Sequence, residues 1–194
     1  KLDGGGALMN QAIHSVDLLT WLMGPVVEIN AFCDTLAHER IAVEDVATAV
    51  LRFESGALGT IEASTAAYPG YLKRIELCGS KGSAVIEEED VVKWDFEEKI
   101  PEDEEIEKSM AGQTSGGGGA SDPSAIGHHG HAMQFADFVQ AIDEDRAPAI
   151  DGKEGRRSVE IILGIYLAAE TKRVVQLPLT EDPQLKARER DAVE

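Results

Sequence analysis

Gly4-Gly5-Gly6-Ala7-Leu8-Met9-Asn10-Gln11-Ala12-Ile13-His14-Ser15-Val16-Asp17-Leu18-Leu19-Thr20-Trp21-Leu22-Met23-Gly24 decides the reading of this 194-residue chain. A glycine cluster opens a run whose spacing predicts a helix over 7–23. Asn10, His14, Asp17 and Trp21 follow one another at helical spacing, so they form one stripe along the axis. Ala12, Ile13, Val16, Leu19 and Leu22 lie largely off that stripe and read as the buried side. Gly24-Pro25 closes the helix, because glycine accepts a left-handed cap and proline cannot continue the hydrogen-bond ladder. His14, among apolar neighbours and behind backbone-permissive glycines, is a candidate proton carrier. An unperturbed imidazole titrates at about 6.5 and gives or takes a proton near neutrality.

Downstream of this helix the period changes. Residues 26–32 alternate as a strand, and 44–54 with 57–65 form the clearest hairpin, turning at Ser55-Gly56. Residues 72–78 and 83–86 pair across Gly79-Ser80-Lys81-Gly82, and 91–96 is a further strand. Together these predict an antiparallel sheet of six or more strands. Residues 97–127 hold an acidic run, Glu102 to Glu105, and then a Gly/Ser segment, a composition that predicts a long flexible loop. Helical spacing returns over 131–143, with Met133, Phe135, Phe138, Val139 and Ile142 apolar and Asp137 and Gln140 facing outward. A second helix is expected over 152–171, with Val159, Ile162, Leu163 and Tyr166 on its buried side, then a strand over 174–179. The fold class read from this order is α+β: a large, mostly antiparallel, open-faced sheet with helices packed on one face. One domain is expected over 1–180, followed by a charged tail at 181–194.

Composition narrows the function. Asp and Glu number 36 against 18 Lys and Arg, for a net charge of -18, so nucleic acid and anionic membranes are poor partners. Apolar stretches are broken well short of the roughly 20 residues that span a bilayer, and no cationic leader precedes an apolar segment. Two cysteines, Cys33 and Cys78, make no disulfide framework; both fall in predicted strands as small apolar groups, and the expected location is the cytoplasm. The acidic surface also fits a salt adaptation.

Three segments, in order, resemble the second domain of the Gfo/Idh/MocA family of NAD(P)-dependent sugar and cyclitol oxidoreductases. The first is the opening helix, with its glycine lead, Asn10, His14, Asp17, Trp21-Leu22 and Gly24. The second runs from Val43-Glu44-Asp45 through Phe53-Glu54-Ser55-Gly56 to Ser64, and the third is Arg74-Ile75-Glu76-Leu77-Cys78-Gly79-Ser80-Lys81-Gly82-Ser83-Ala84. The resemblance covers roughly residues 4–179. The family's first half carries a Gly-rich dinucleotide turn and a Glu-Lys-Pro segment with a catalytic lysine. Neither motif occurs in these 194 residues, so the chain reads as a C-terminal domain detached from its cofactor half, catalytically silent alone.

The resemblance implies catalytic roles for His14, as acid/base on a substrate hydroxyl, and for Asn10. Many members carry aspartate at position 10; asparagine cannot act as a base but can orient a hydroxyl or the family's lysine. Asp17 is expected to touch substrate or to accept a hydrogen bond from His14 and fix its tautomer, the alternative being a solvated carboxylate. Trp21 reads as packing rather than stacking on substrate. Gly5 and Gly6 are assigned to close approach of the cofactor, NAD or NADP, which the absent domain would mainly bind, against a plain linker at the chain end. Lys73 and Arg74 either meet an anionic sugar substituent or form an ordinary strand charge pair. His131, with His128 and His129, lends an imidazole to the pocket, forms a metal site or is merely solvated; no metal is assigned. The expected substrate is a small polyol, sugar, sugar nucleotide or cyclitol. The expected assembly is a homo-oligomer through an open sheet face bearing Thr48, Val50, Thr60, Ile61 and Ala63. Competing readings are a non-catalytic sensing or scaffold member of the same fold and a metal-dependent hydrolytic protein.

Overall fold

Strict alternation along one strand sets the inside and outside of the first part of the molecule. In Val46–Phe53, Ala47, Ala49, Leu51 and Phe53 are buried while Thr48, Val50 and Arg52 face solvent. The same period runs through the neighbouring strands of the computed structural model, which describes residues 5–88, 90–111, 129–183 and 185, apart from the side chains of 111 and 129. The chain divides into two compact units, Lys1–Tyr68 with Ala147–Glu194, and Pro69–Arg146.

The first unit opens with a π turn, Ala7–Ala12, that runs straight into helix α1, Ile13–Met23. Strands β1 (Val26–Asp34), β2 (Val46–Phe53) and β3 (Leu58–Ser64) follow as an antiparallel meander. Helix α4, Gly152–Thr171, returns from the far end of the chain and leads into the two-residue strand β7, Val175–Gln176. Sheet order is β3-β2-β1-β7. Its inner face, with Ile29, Ala31, Ala47, Ala49, Leu51, Phe53, Ile61 and Ala63, packs against Leu8 and Val16 and against Ile161, Ile162, Ile165 and Ala168 of α4. Each large apolar side chain sealed there contributes roughly 1.5–3 kcal/mol. Four alanines on that face leave room for the helices to approach. Gly164 does the same from the helix, since a Cβ there would lie 3.0 Å from Ile29 Cδ1.

In the second unit, β4 (Arg74–Gly79), β5 (Gly82–Glu87) and β6 (Asp90–Phe96) form a three-stranded antiparallel sheet. Helices α2, Asp103–Ala111, and α3, His129–Asp143, follow. Asp103 organises the start of α2. One carboxylate oxygen accepts from Trp94 Nε1 at 2.9 Å and the other from the Ile100 N–H at 2.8 Å. These bonds hold its carboxyl below the usual carboxylate range.

The α+β class with antiparallel sheets and packed helices is as expected, but the strands divide differently. Instead of one sheet of six or more, the described residues form sheets of four and three. Turn chemistry specifies hairpins, and nothing local specifies whether two hairpin groups join. The expected loop over 97–127 contains α2, whose first turn takes up Asp103, Glu104 and Glu105 where a helix dipole favours acids; residues 112–128 lie outside the described residues, as do 186–194 of the expected tail. The strand expected over 174–179 shrinks to two residues, because Pro178 has no N–H to donate. On α4 the sealed stripe is Ser158, Ile161, Ile162, Ile165, Ala168 and Ala169, while Val159, Leu163 and Tyr166 are half-buried. Ile61 and Ala63 face the core, so the open sheet face carries Phe32, Thr48, Val50, Leu58 and Thr60 instead. Cys33 is half-buried, but Cys78 is exposed.

Candidate functional site

The opening helix lacks a capping side chain of its own. Gly6 precedes the π turn and offers none. The orphan N–H groups at such a terminus need acceptors, and Glu44, at the head of β2, supplies them from 36 residues away. Its backbone carbonyl accepts from the Ala7 N–H at 3.0 Å, and its Oε1 accepts from the Leu8 N–H at 2.9 Å. The Tyr166 hydroxyl, reaching in from α4, donates to the same oxygen at 2.9 Å. Glu44 is only 4% exposed. A carboxylate at a helix N-terminus also meets the positive end of the dipole. Burial raises the Tyr166 phenol above its ordinary range, and the neighbouring Glu44 charge adds to the shift.

Gly5 and Gly6 are explained by this junction. A Cβ on Gly6 would lie 2.0 Å from the Glu44 carbonyl oxygen and 2.4 Å from Oε2, and one on Gly5 would lie 2.5 Å from Met9 Cβ. Glycine is required there for packing within the chain, whatever else approaches it. Gly4 lies outside the described residues.

From this anchored start the helix presents the anticipated stripe. Asn10, His14, Asp17 and Trp21 are all exposed, Trp21 at 75%. Val16 is sealed beneath them, and Ala12, Ile13 and Leu19 pack against the core. Among the described residues nothing hydrogen-bonds the His14 ring. The proposed His14–Asp17 hydrogen bond is absent; the Asp17 backbone carbonyl instead accepts from Thr20 Oγ1 at 2.9 Å. The helix ends as expected at Gly24, with φ 84° and its N–H on the Thr20 carbonyl.

The residue after Glu44 fixes the neighbouring loop. Asp45 is fully buried, and its carboxylate accepts from the N–H groups of Leu36, Ala37 and His38 at 2.7–2.9 Å and meets His38 Nδ1 at 3.0 Å. Burial alone would push its carboxyl up, but the donors hold it well below the carboxylate range.

In the second unit, Lys73 and Arg74 are exposed and already paired. Lys73 Nζ lies 3.2 Å from Glu88, and Arg74 lies 3.2 Å from Glu87 and 3.1 Å from Glu76. His131 stands exposed on the first turn of α3, within the helix expected over 131–143. The side chains of His128 and His129 lie outside the described residues, and no group of three or more metal-ligating side chains occurs among those described. No helix of the described residues is long and apolar enough to cross a membrane.

The family model for the GFO/IDH/MocA C-terminal domain matches residues 1–85, the segment holding the helix, Glu44 and the first sheet. Over those residues the chain is similar to Gfo/Idh/MocA C-terminal domains. The myo-inositol 2-dehydrogenase of Thermotoga maritima is 45% identical over 83 residues, which span 40% of this chain and 25% of that protein. The WlbA dehydrogenase from Bordetella pertussis, solved with NADH and UDP-GlcNAcA, matches at 33% identity with a TM-score of 0.75, covering 90% of this chain and 49% of that one. The Chromobacterium violaceum WlbA dehydrogenase, solved with the same ligands, matches at 35% identity and a TM-score of 0.75, covering 91% and 47%. The chain therefore spans a quarter of the Thermotoga protein and about half of these two solved chains.

Reading the sequence for reactive side chains missed Glu44 and Tyr166. Glu44 sits in the second family segment, two residues before the strand, and an acidic pair heading a half-buried strand was the available signal. Its burial and its partner 122 residues away come only with the fold.

Proposed function

We propose that this chain is the substrate-handling part of an NAD(P)-dependent oxidoreductase acting on a CH–OH group of a sugar, sugar nucleotide or cyclitol. The exposed, unpartnered His14 ring, on a helix whose start is locked by buried hydrogen bonds, is the observation that carries the reading. His14 takes the hydroxyl proton as the alcohol is oxidised and returns it in the reverse direction. Asn10, one turn earlier, orients a hydroxyl through its amide, and Asp17 offers an acceptor one turn later. Bound NAD(P) supplies the hydride acceptor. Among the described residues no turn cradles a phosphate, and Glu44 fills the space beside Gly6, which supports a cofactor held chiefly by a dinucleotide-binding segment of the whole protein.

Dinucleotide-dehydrogenase relatives with inositol and sugar-nucleotide names support this substrate class. The open sheet face, with Phe32, Val50 and Leu58 exposed, supports a homo-oligomer. The test is NAD(P)+ reduction by the whole protein with a panel of polyols and sugar nucleotides. We expect His14→Ala to lower kcat about 100-fold or more, as loss of a general base does. Unchanged turnover in His14→Ala removes the mechanism. Binding of a polyol without turnover under any condition favours a sensing role.

A further inference from the structure

We propose that Glu44 is the positioning residue for the Asn10–His14 face, acting through the Leu8 amide and assisted by the Tyr166 hydroxyl. The inference rests on the oxidoreductase reading only for its activity arm. Two successive N–H groups, Ala7 and Leu8, end on one residue, through its main chain and its side chain respectively. That residue is itself immobilised. Asp45 beside it is buried, donates its N–H to the Asp34 carbonyl at 3.0 Å and accepts from the Thr65 N–H at 2.9 Å. On the other flank, Gly6 lies flush against Glu44 with no room for a methyl group. Ala7 to Ala12 form a π turn, a rare arrangement kept where its surroundings over-determine it. Asn10 lies within that turn and His14 follows on the same continuous helix, so a shift at Leu8 is carried along the axis to both.

Amide hydrogen exchange on the 194-residue chain reads the first arm. Glu44→Ala should speed Leu8 exchange about tenfold or more while β2 and β3 amides stay unchanged, whereas Glu44→Gln, which keeps an acceptor at Oε1, should stay within about threefold of the parent. If Glu44→Ala does not fold, Tyr166→Phe decides. It removes one hydroxyl and should speed Leu8 exchange about threefold. In the whole protein, Glu44→Ala should lower kcat roughly tenfold to 100-fold with KM little changed, and Glu44→Gln should restore most of it. Unchanged Leu8 exchange in both Glu44→Ala and Tyr166→Phe overturns the proposal whatever the enzyme does. So does a kcat loss in Glu44→Gln equal to that in Glu44→Ala, because the retained acceptor then counts for nothing. Full turnover in His14→Ala, with Leu8 exchange responding as expected, overturns His14 as the base and leaves the positioning of the turn intact, whereas no turnover of the parent with any polyol or sugar nucleotide overturns the oxidoreductase reading.

Discussion

Two helices lie on the inner face of the same sheet, and their N-termini are closed in opposite ways. Helix α4 closes locally. Asp151 sits just ahead of it in an extended conformation, and its Oδ1 accepts from the N–H groups of Lys153 and Glu154, both at 2.9 Å. Those donors, Glu154 first, hold the Asp151 carboxyl below its ordinary value. The segment leading into α1 closes remotely, on a glutamate from another element. The local cap is exposed and, among the described residues, bonds within its own helix. The remote cap is buried and ties helix, sheet and α4 together through a single oxygen. A local cap fixes where a helix begins. A remote cap also fixes where it stands.

Breaking the remote closure should cost most. Gly6→Ala drives a methyl group into the Glu44 carbonyl and carboxylate, and overpacking against backbone predicts a loss of about 3 kcal/mol in urea unfolding. A loss under about 1 kcal/mol would mean the junction yields easily and the contrast between the two caps is weak.

Asp45 sharpens the comparison by asking what the residue beside the remote cap contributes. Its folded carboxyl is held below the unfolded value of about 3.9. Its contribution is therefore complete above that value and is lost as pH falls through the folded value. Stability should decline on acidification below about pH 4, and Asp45→Asn should flatten that decline while lowering stability at pH 7 by about 2 kcal/mol. An acid limb of equal slope in parent and variant would assign it to other carboxylates.

The local cap gives the smallest effect. Asp151→Ala should cost about 1 kcal/mol and speed amide exchange in the first turn of α4 alone. A change in Leu8 exchange in that variant would mean that the two helix starts are not independent.

The same contrast explains how much could be read beforehand. Alternation in β2 and the Gly24-Pro25 stop are rules acting over a few residues, and both were legible. So were the limits of α4, which begins at Gly152 directly after Asp151. The polar stripe from Asn10 to Trp21 was legible because helical period alone places it. Glu44 was not, because burial of a carboxylate depends on a tyrosine 122 residues on. The acidic run at 102–105 was misjudged for a related reason: composition predicts a loop, whereas Asp103 bonded to Trp94 and Ile100 makes it the first turn of a helix. Sheet number failed because hairpins are local and their union is not.

Gly164 lets the helix that bears Tyr166 lie close on β1. With 3.0 Å separating a would-be Cβ from Ile29, the residue acts as a shim of zero thickness between α4 and β1. Tyr166 stands two positions further along the same rod. A single added carbon at 164 would meet the tip of the Ile29 side chain, which would have to give by a few tenths of an ångström for the rod to keep its place. The seat of the Tyr166–Glu44 contact thus depends in part on the slimmest side chain of its own helix.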